Sequence, residues 1–215
     1  MEIKTIGILG SGVVGQSLAQ GFLKSGYEVM IGTRKPEKLK VFINKTGNKI
    51  RVGSFQETAI FGNLLVLSVK GDAINDVINM AGKENFKGKI LIDPTNPLLF
   101  KDNAVSISTK FPDSLAMQIQ KALPETEVVK AFNTVASNYM INPKLKEGVP
   151  TMFIAGNSKE AKQAVKNIIA PWGWTDIVDT GDITNAHLLE SLAFLSILYG
   201  FSNNSWTHAF RLLRE

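Results

Sequence analysis

Apolar and polar positions alternate between two periods along the first third of the chain. Thr5 to Leu9 is apolar and strand-prone, Val14 to Lys24 carries apolar residues at helical spacing, and Tyr27 to Ile31 returns to strand character. Strand, helix and strand in that order make a βαβ unit. Gly26 falls between the helix and the second strand, where a left-handed cap is expected, because glycine takes positive φ without a Cβ clash. The alternation predicts a strand at Leu64 to Val69, a helix at Asp72 to Ala81, a strand at Lys89 to Asp93, a helix at Asp113 to Leu123 and a strand at Val128 to Phe132. Beyond these come a strand at Met152 to Ala155, a helix opened by Asn157 or Ser158, a strand at Asp176 to Val178, and a long C-terminal helix from about Thr184 to Arg211. Pro94 to Phe111 and Ser137 to Pro150, rich in Asn, Pro, Ser and Lys, read as loops. Repeated βα units predict an α/β, Rossmann-like doubly wound fold, with a mostly parallel sheet, helices on both faces and a long C-terminal helix. The chain reads as one unit, residues 1–215, with a C-terminal extension from about residue 137 that is too short to form an independent core.

Composition narrows the chemistry. The 215 residues contain no cysteine, which excludes disulfides, thiolate metal sites and a cysteine nucleophile, and favours a reducing compartment. The N-terminus lacks a secretory pattern. The longest apolar stretch, Leu188 to Phe201, is interrupted by Glu190, Ser191, Ser196 and Gly200 and falls short of the ~20 residues a spanning helix needs. A cytoplasmic protein with no membrane partner and a buried C-terminal helix is expected. The net charge of +5 is scattered, without the basic stripe or aromatic interleaving of a nucleic-acid groove, and suits an anionic cofactor.

Gly10-Ser11-Gly12-Val13-Val14-Gly15 matches G-x-G-x-x-G directly after the first strand and at the head of the first helix, the context that gives the pattern meaning. The first glycine permits the tight turn, the second lets the backbone approach a pyrophosphate, and the third lets helix and strand pack closely. An NAD-specific site would place an acid at the tip of the second strand. Here the tip reads Ile31-Gly32-Thr33-Arg34-Lys35-Pro36-Glu37-Lys38. Thr33, Arg34 and Lys38 offer a hydroxyl, a guanidinium fork and a point charge to a 2′-phosphate, so NADP(H) is the expected cofactor.

Asn133, Asn96 and Lys70 fall at expected strand ends, where open α/β sheets bind ligands; they read equally as turn-forming asparagines and a solvated lysine. Glu190, within an apolar helix, must be solvated, paired or near a site. Trp172 and Trp174 read as packing against the sheet. His187 and His208, both on the expected last helix, do not make a metal site, and none is expected. Hydride transfer between stacked rings needs orientation and a dry pocket rather than an acid–base pair, so no catalytic acid or base is assigned.

Gly10 to Gly15, the Gly32-Thr33-Arg34 tip with Glu37-Lys38, Val129-Lys130-Ala131-Phe132-Asn133-Thr134-Val135 and Leu188-Leu189-Glu190-Ser191-Leu192 together resemble the NADPH-dependent coenzyme F-420 (deazaflavin) oxidoreductases. The Ala131-Phe132-Asn133-Thr134 run is also similar to the reductase domain of the six-transmembrane metalloreductases. The resemblance implies NADP held at the strand ends, with the acceptor ring laid over the nicotinamide. It places Ser11, Val13 and Val14 in the cofactor loop, Thr33, Arg34 and Lys38 on the 2′-phosphate, and Ser68-Val69-Lys70 on the adenosine and ribose side. Pro94-Thr95-Asn96-Pro97 and Asn133-Thr134-Val135-Ala136 would surround the nicotinamide and acceptor rings, with Asn133, Val135 and Leu192 on the acceptor. The deazaflavin enzymes tend to carry His where this chain has Asn133, a residue shared with the flavin-using metalloreductases. The implied function is therefore hydride transfer between NADPH and a deazaflavin or flavin (FMN or FAD), in a homodimer packed through the last helix. The competing readings are a small-molecule 3-hydroxyacid or imine reductase and a non-catalytic NADP(H) redox sensor.

Overall fold

A computed structural model describes residues 3–101 and 104–215. In chain order the strands are β1 (Thr5–Leu9), β2 (Glu28–Gly32), β3 (Ile50–Gly53), β4 (Leu64–Leu67), β5 (Ile90–Asp93), β6 (Leu98–Lys101), β7 (Ala104–Ile107), β8 (Glu127–Lys130), β9 (Met152–Gly156) and β10 (Ile177–Asp179). The helices are α1 (Val13–Lys24), α2 (Lys40–Lys45), α3 (Phe55–Phe61), α4 (Ile74–Ala81), α5 (Leu115–Ala122), α6 (Lys159–Ile169) and α7 (Ala186–Asn203). Eight strands form one sheet in the order β10-β9-β8-β5-β4-β1-β2-β3, with every neighbouring pair parallel except β8 and β9. The chain turns back across the sheet between β3 and β4. The strand order therefore reverses between β1 and β4, and a crevice opens there at the strand carboxyl ends.

Each face of the sheet has its own core. Ile6, Ile8, Val29, Ile31, Val66, Ile92 and Val129 pack against α1, α2 and α6, while Leu65, Leu67, Leu91 and Val128 pack against α3, α4, α5 and the start of α7. All four residues of β4 are buried, as continuous apolar strands in a doubly covered sheet must be. Gly26 takes φ +87 directly after the α1 cap, and the side chain of Ser158 accepts from the Ala161 amide at the start of α6, so both sequence signals act as helix boundaries. Trp172 and Trp174 are buried beside Phe132, and each indole N–H finds an acceptor, Ser25 Oγ at 2.8 Å and Met140 O at 2.9 Å.

Three expectations are corrected. The segment from Pro94 to Phe111 is not simply a loop: β6 and β7 form an antiparallel hairpin within it, and residues 102 and 103 of that segment lie outside the described ones. A four-residue strand is too short to display a period, so its pairing partner reveals it. The last helix ends at Asn203, not near Arg211. Asn204 turns left-handed at φ 47, Trp206 folds back onto Gly200, where an added Cβ would come within 2.8 Å of its ring, and the tail then meets the residues that lead into β9 and β10. There Thr151 N donates to Phe210 O at 3.0 Å and Arg214 pairs with Asp176. His208 consequently lies on the tail, with Nε2 beside Ser196, and not on the helix. Between residues 35 and 61 the structure adds α2, β3, α3 and a short turn at Pro36–Leu39, none of which the periodicity indicated.

Candidate active site

The β1–α1 turn shows three glycines with different duties. Gly10 sits at φ +125, and a Cβ there would meet Ser68 O at 2.2 Å; at Gly15 it would meet Gly10 O at 2.3 Å. Both are dictated by backbone-to-backbone packing. Gly12 would meet nothing within 4 Å, so its missing side chain leaves open space above the α1 terminus. Gly12 caps α1 with no side-chain hydrogen bond, which leaves the first-turn N–H groups and the positive helix end available to an anion. Because Gly12 holds φ −71 and ψ −178, an extended conformation open to any residue, Gly12→Val should leave the thermal midpoint nearly unchanged. Its NADPH affinity should fall at least about tenfold by titration, since lost phosphate contacts outweigh the ~1.4 kcal/mol that a factor of ten represents.

The turn opens into a cleft of ≈ 490 Å³ lined by Gly10, Ser11, Gly12, Val13, Val14, Thr33, Arg34, Lys35, Lys38, Phe55, Ser68, Val69, Lys70, Ala73, Val77, Pro94 and Thr95. Ser11 Oγ and Thr33 Oγ1 lie 2.9 Å apart, and Gly10 N donates to Gly32 O at 3.0 Å, so the glycine turn and the β2 tip form one rim. Arg34, Lys35 and Lys38 are exposed on that rim, and among the described residues no carboxylate lines the cleft. Open space at Gly12, an uncapped helix end and an acid-free cationic rim fit a dinucleotide that carries a 2′-phosphate.

Behind the inner end of the cleft, which Pro94 and Thr95 line, the chain turns sharply after β8. Phe132, fully buried, takes φ +66, a left-handed value uncommon for a bulky residue, and its ring is gripped between Trp172 and Trp174. That turn aims Asn133 across to the loop after β5. Asn133 Nδ2 donates to Asn96 Oδ1 at 3.0 Å and to Leu189 O at 2.9 Å, while Asn96 Nδ2 donates to Asn133 O at 2.8 Å. The Leu189 carbonyl fixes which way the amide points, and Asn133 Oδ1 is left buried without a partner among the described residues.

Behind this pair lies a cluster that sequence reasoning missed. Lys130 Nζ donates to Asp93 Oδ2 at 3.0 Å, Thr95 O at 2.6 Å and Glu190 Oε1 at 2.7 Å, which uses all three of its protons. Asp93 Oδ1 in turn accepts from Thr95 N and Thr95 Oγ1 at 2.9 and 2.6 Å. Burial pushes the Glu190 carboxyl above its ordinary value, and the Lys130 ammonium pulls against that shift. The two lone charges of opposite sign in apolar elements, Lys130 in a strand and Glu190 in a helix, were the available signal.

Of the expected site residues, Gly10 to Val14, Thr33, Arg34, Lys38 and Ser68 to Lys70 converge on the cleft. Gly15 packs beneath it. Asn96 and Asn133 meet each other behind it, Thr134 and Val135 are buried, Ala136 is half-buried, and Leu192 is half-buried on α7. No group of three or more His, Asp or Glu side chains is placed to hold a metal ion among the described residues, and no helix among them is long and apolar enough to cross a membrane.

The fold, the fingerprint in its βαβ setting and the cationic rim define a Rossmann oxidoreductase of the NADP-dependent class. Residues 5–97 match the family described as NADP oxidoreductase, coenzyme F420-dependent. The chain belongs to that family, whose members are NADP-dependent oxidoreductases. The crystal structure of an Arthrobacter sp. FB24 protein assigned to the F420-dependent NADP-reductases superposes with a TM-score of 0.92 at 31% identity, covering 99% of this chain and 100% of that one. The F420-dependent NADP reductase of Methanothermobacter thermautotrophicus is 24% identical over 94% of this chain and 90% of its own length. The metalloreductase STEAP3 of Rattus norvegicus is 27% identical over 89% of this chain, which spans only 36% of that protein. The chain thus covers about a third of the length of the metalloreductases it matches.

Proposed function

We propose that this chain is an NADPH-dependent reductase that passes hydride to a deazaflavin or flavin ring seated at the inner end of the cleft. The observation that carries the reading is the rim: an open glycine turn beside Thr33, Arg34 and Lys38, with no carboxylate among the described residues lining the cleft. Thr33, Arg34 and Lys38 would hold the 2′-phosphate, with Ser11 steadying the Thr33 hydroxyl. The amides of Gly12 to Val14 would hold the pyrophosphate. Ser68, Val69 and Lys70 would border the ribose, and Pro94 to Asn96 with Asn133 to Ala136 would shape the space for the two rings. NADPH supplies the hydride from its reduced nicotinamide. Val14, Val69 and Pro94 present apolar surface to the cleft, and Pro94 would border the ring end. The name of one relative, an F420-dependent NADP reductase, supports the deazaflavin, and the resemblance of the Ala131-Phe132-Asn133-Thr134 run to the metalloreductases keeps ordinary flavin in the proposal.

Stopped-flow mixing of the NADPH-loaded chain with a deazaflavin, FMN and FAD in turn should accelerate NADPH oxidation with at least one of them. Rates indistinguishable from the protein-free reaction with all three would overturn the proposal.

The second part of the reading is a homodimer. α7 carries large apolar residues on its outer as well as its inner side and leaves Leu188, Leu195 and Tyr199 exposed by 53%, 55% and 50%, which is unusual for a helix facing water. Sedimentation should give twice the chain mass of 23.5 kDa, and a monomer at micromolar concentration would remove this part.

A further inference from the structure

Leu189 and Glu190 are neighbours near the start of α7, and each is bonded to a different segment behind the cleft. The Leu189 carbonyl accepts from Asn133 Nδ2, and Glu190 Oε1 accepts from Lys130 Nζ. Lys130 also holds the carbonyl of Thr95, whose amide and hydroxyl are held by Asp93, so the backbone of that cleft-lining residue is tied on both sides. Glu190 reaches a third element as well, accepting from Leu115 N at 3.1 Å and Ala116 N at 3.3 Å at the start of α5. Lys130, Asp93 and Glu190 are exposed by only 0%, 0% and 2%. An apolar set of similar volume would serve stability as well or better, so a buried charged cluster here points to a demand for position.

We propose that Glu190 is a positioning residue for hydride transfer. Through Lys130 it fixes Thr95, and with the adjacent Leu189 carbonyl it fixes Asn133, so the seat of α7 sets the geometry at the inner end of the cleft. This rests on the reading that the nicotinamide lies there. A helix whose outer surface is free to meet a second subunit is thereby joined by two bonds to the segments beside the reacting rings.

The test compares the 215-residue parent with Glu190→Gln and Glu190→Met. NADPH affinity, set mainly at the distant phosphate rim, should stay within about threefold. Single-turnover hydride transfer should slow by about 10–100-fold, with the loss in kcat rather than KM, because misplacement of about 1 Å is enough for such a factor. Amide hydrogen exchange at Thr95 should quicken at least about tenfold while Leu65 in β4 is unchanged. A lowered thermal midpoint with unaltered hydride transfer and unaltered Thr95 exchange in the folded variants would overturn the proposal. If the parent transfers no hydride to any ring acceptor, the functional reading above fails, and Thr95 exchange still decides whether Glu190 positions this loop.

Discussion

Lys130→Met should unfold at markedly lower urea concentration than the parent, with a loss of about 3–5 kcal/mol at pH 7. The ammonium is fully buried and stands between two carboxylates, so its removal strands Asp93 and Glu190 without a cation and leaves the Thr95 carbonyl without its donor. The loss should also depend on pH. Lys130 is among the groups that lower the Glu190 pKa, so in the variant this carboxyl, already raised by burial, rises further. A carboxyl raised in the folded state binds more protons there than in the unfolded chain. The variant therefore loses stability as pH climbs from the ordinary value of 4.5 through the raised one, and the deficit should be smaller at pH 5 than at pH 7. A deficit under about 1 kcal/mol, or one that grows on acidification, would show that the cluster is not the paired ionic group described above.

Arg34→Asp should invert the cofactor preference. The guanidinium is on the exposed rim, beside the Ser11 and Thr33 hydroxyls and Lys38, and a charge-assisted bond to phosphate is worth about 1.5–3 kcal/mol. Its replacement by a carboxylate adds repulsion, so NADPH should bind about 100-fold more weakly, at roughly 1.4 kcal/mol per factor of ten. NADH has no 2′-phosphate and should bind as well as before or better, because an acid at this strand tip accepts hydrogen bonds from the ribose. Calorimetric titration of both cofactors into both proteins measures this directly. Equal affinity of the parent for NADH and NADPH, with no response to the substitution, would withdraw the assignment of the rim to the 2′-phosphate. The protein should remain folded, since Arg34 is exposed and no core residue rests on it.

The two substitutions probe parts of the site that differ in how legible they were. The glycine turn and the cationic rim are each a short run of sequence, and their chemistry follows from local spacing, so Gly10 to Val14, Thr33, Arg34 and Lys38 are legible in the sequence, and they converge on the cleft. The inner end is built from residues far apart in the chain. Lys130 and Glu190 are 60 residues apart, and Asn96 and Asn133 are 37 apart. Asn96 and Asn133 could be placed at strand ends, yet nothing local indicated that their amides face each other and the Leu189 carbonyl. Asp93 stood at the end of an expected strand without any sign that a lysine 37 residues further on would neutralise it.

By itself, the sequence determined the opening βαβ unit, the strands and helices from β4 through β8 apart from the β6–β7 hairpin, the sheet buried on both faces, the dinucleotide turn and the sign of charge at the β2 tip. Each of these arises from residues within one or two elements, where apolar period, glycine backbone freedom and side-chain charge act locally. Tertiary structure alone decided the β6–β7 hairpin, the end of α7 at Asn203 and the buried Lys130 cluster. A strand is completed by its partner, a helix stops when the following chain finds better packing, as Trp206 does on Gly200, and a buried charge is tolerable only where folding brings its counter-charge within hydrogen-bond reach.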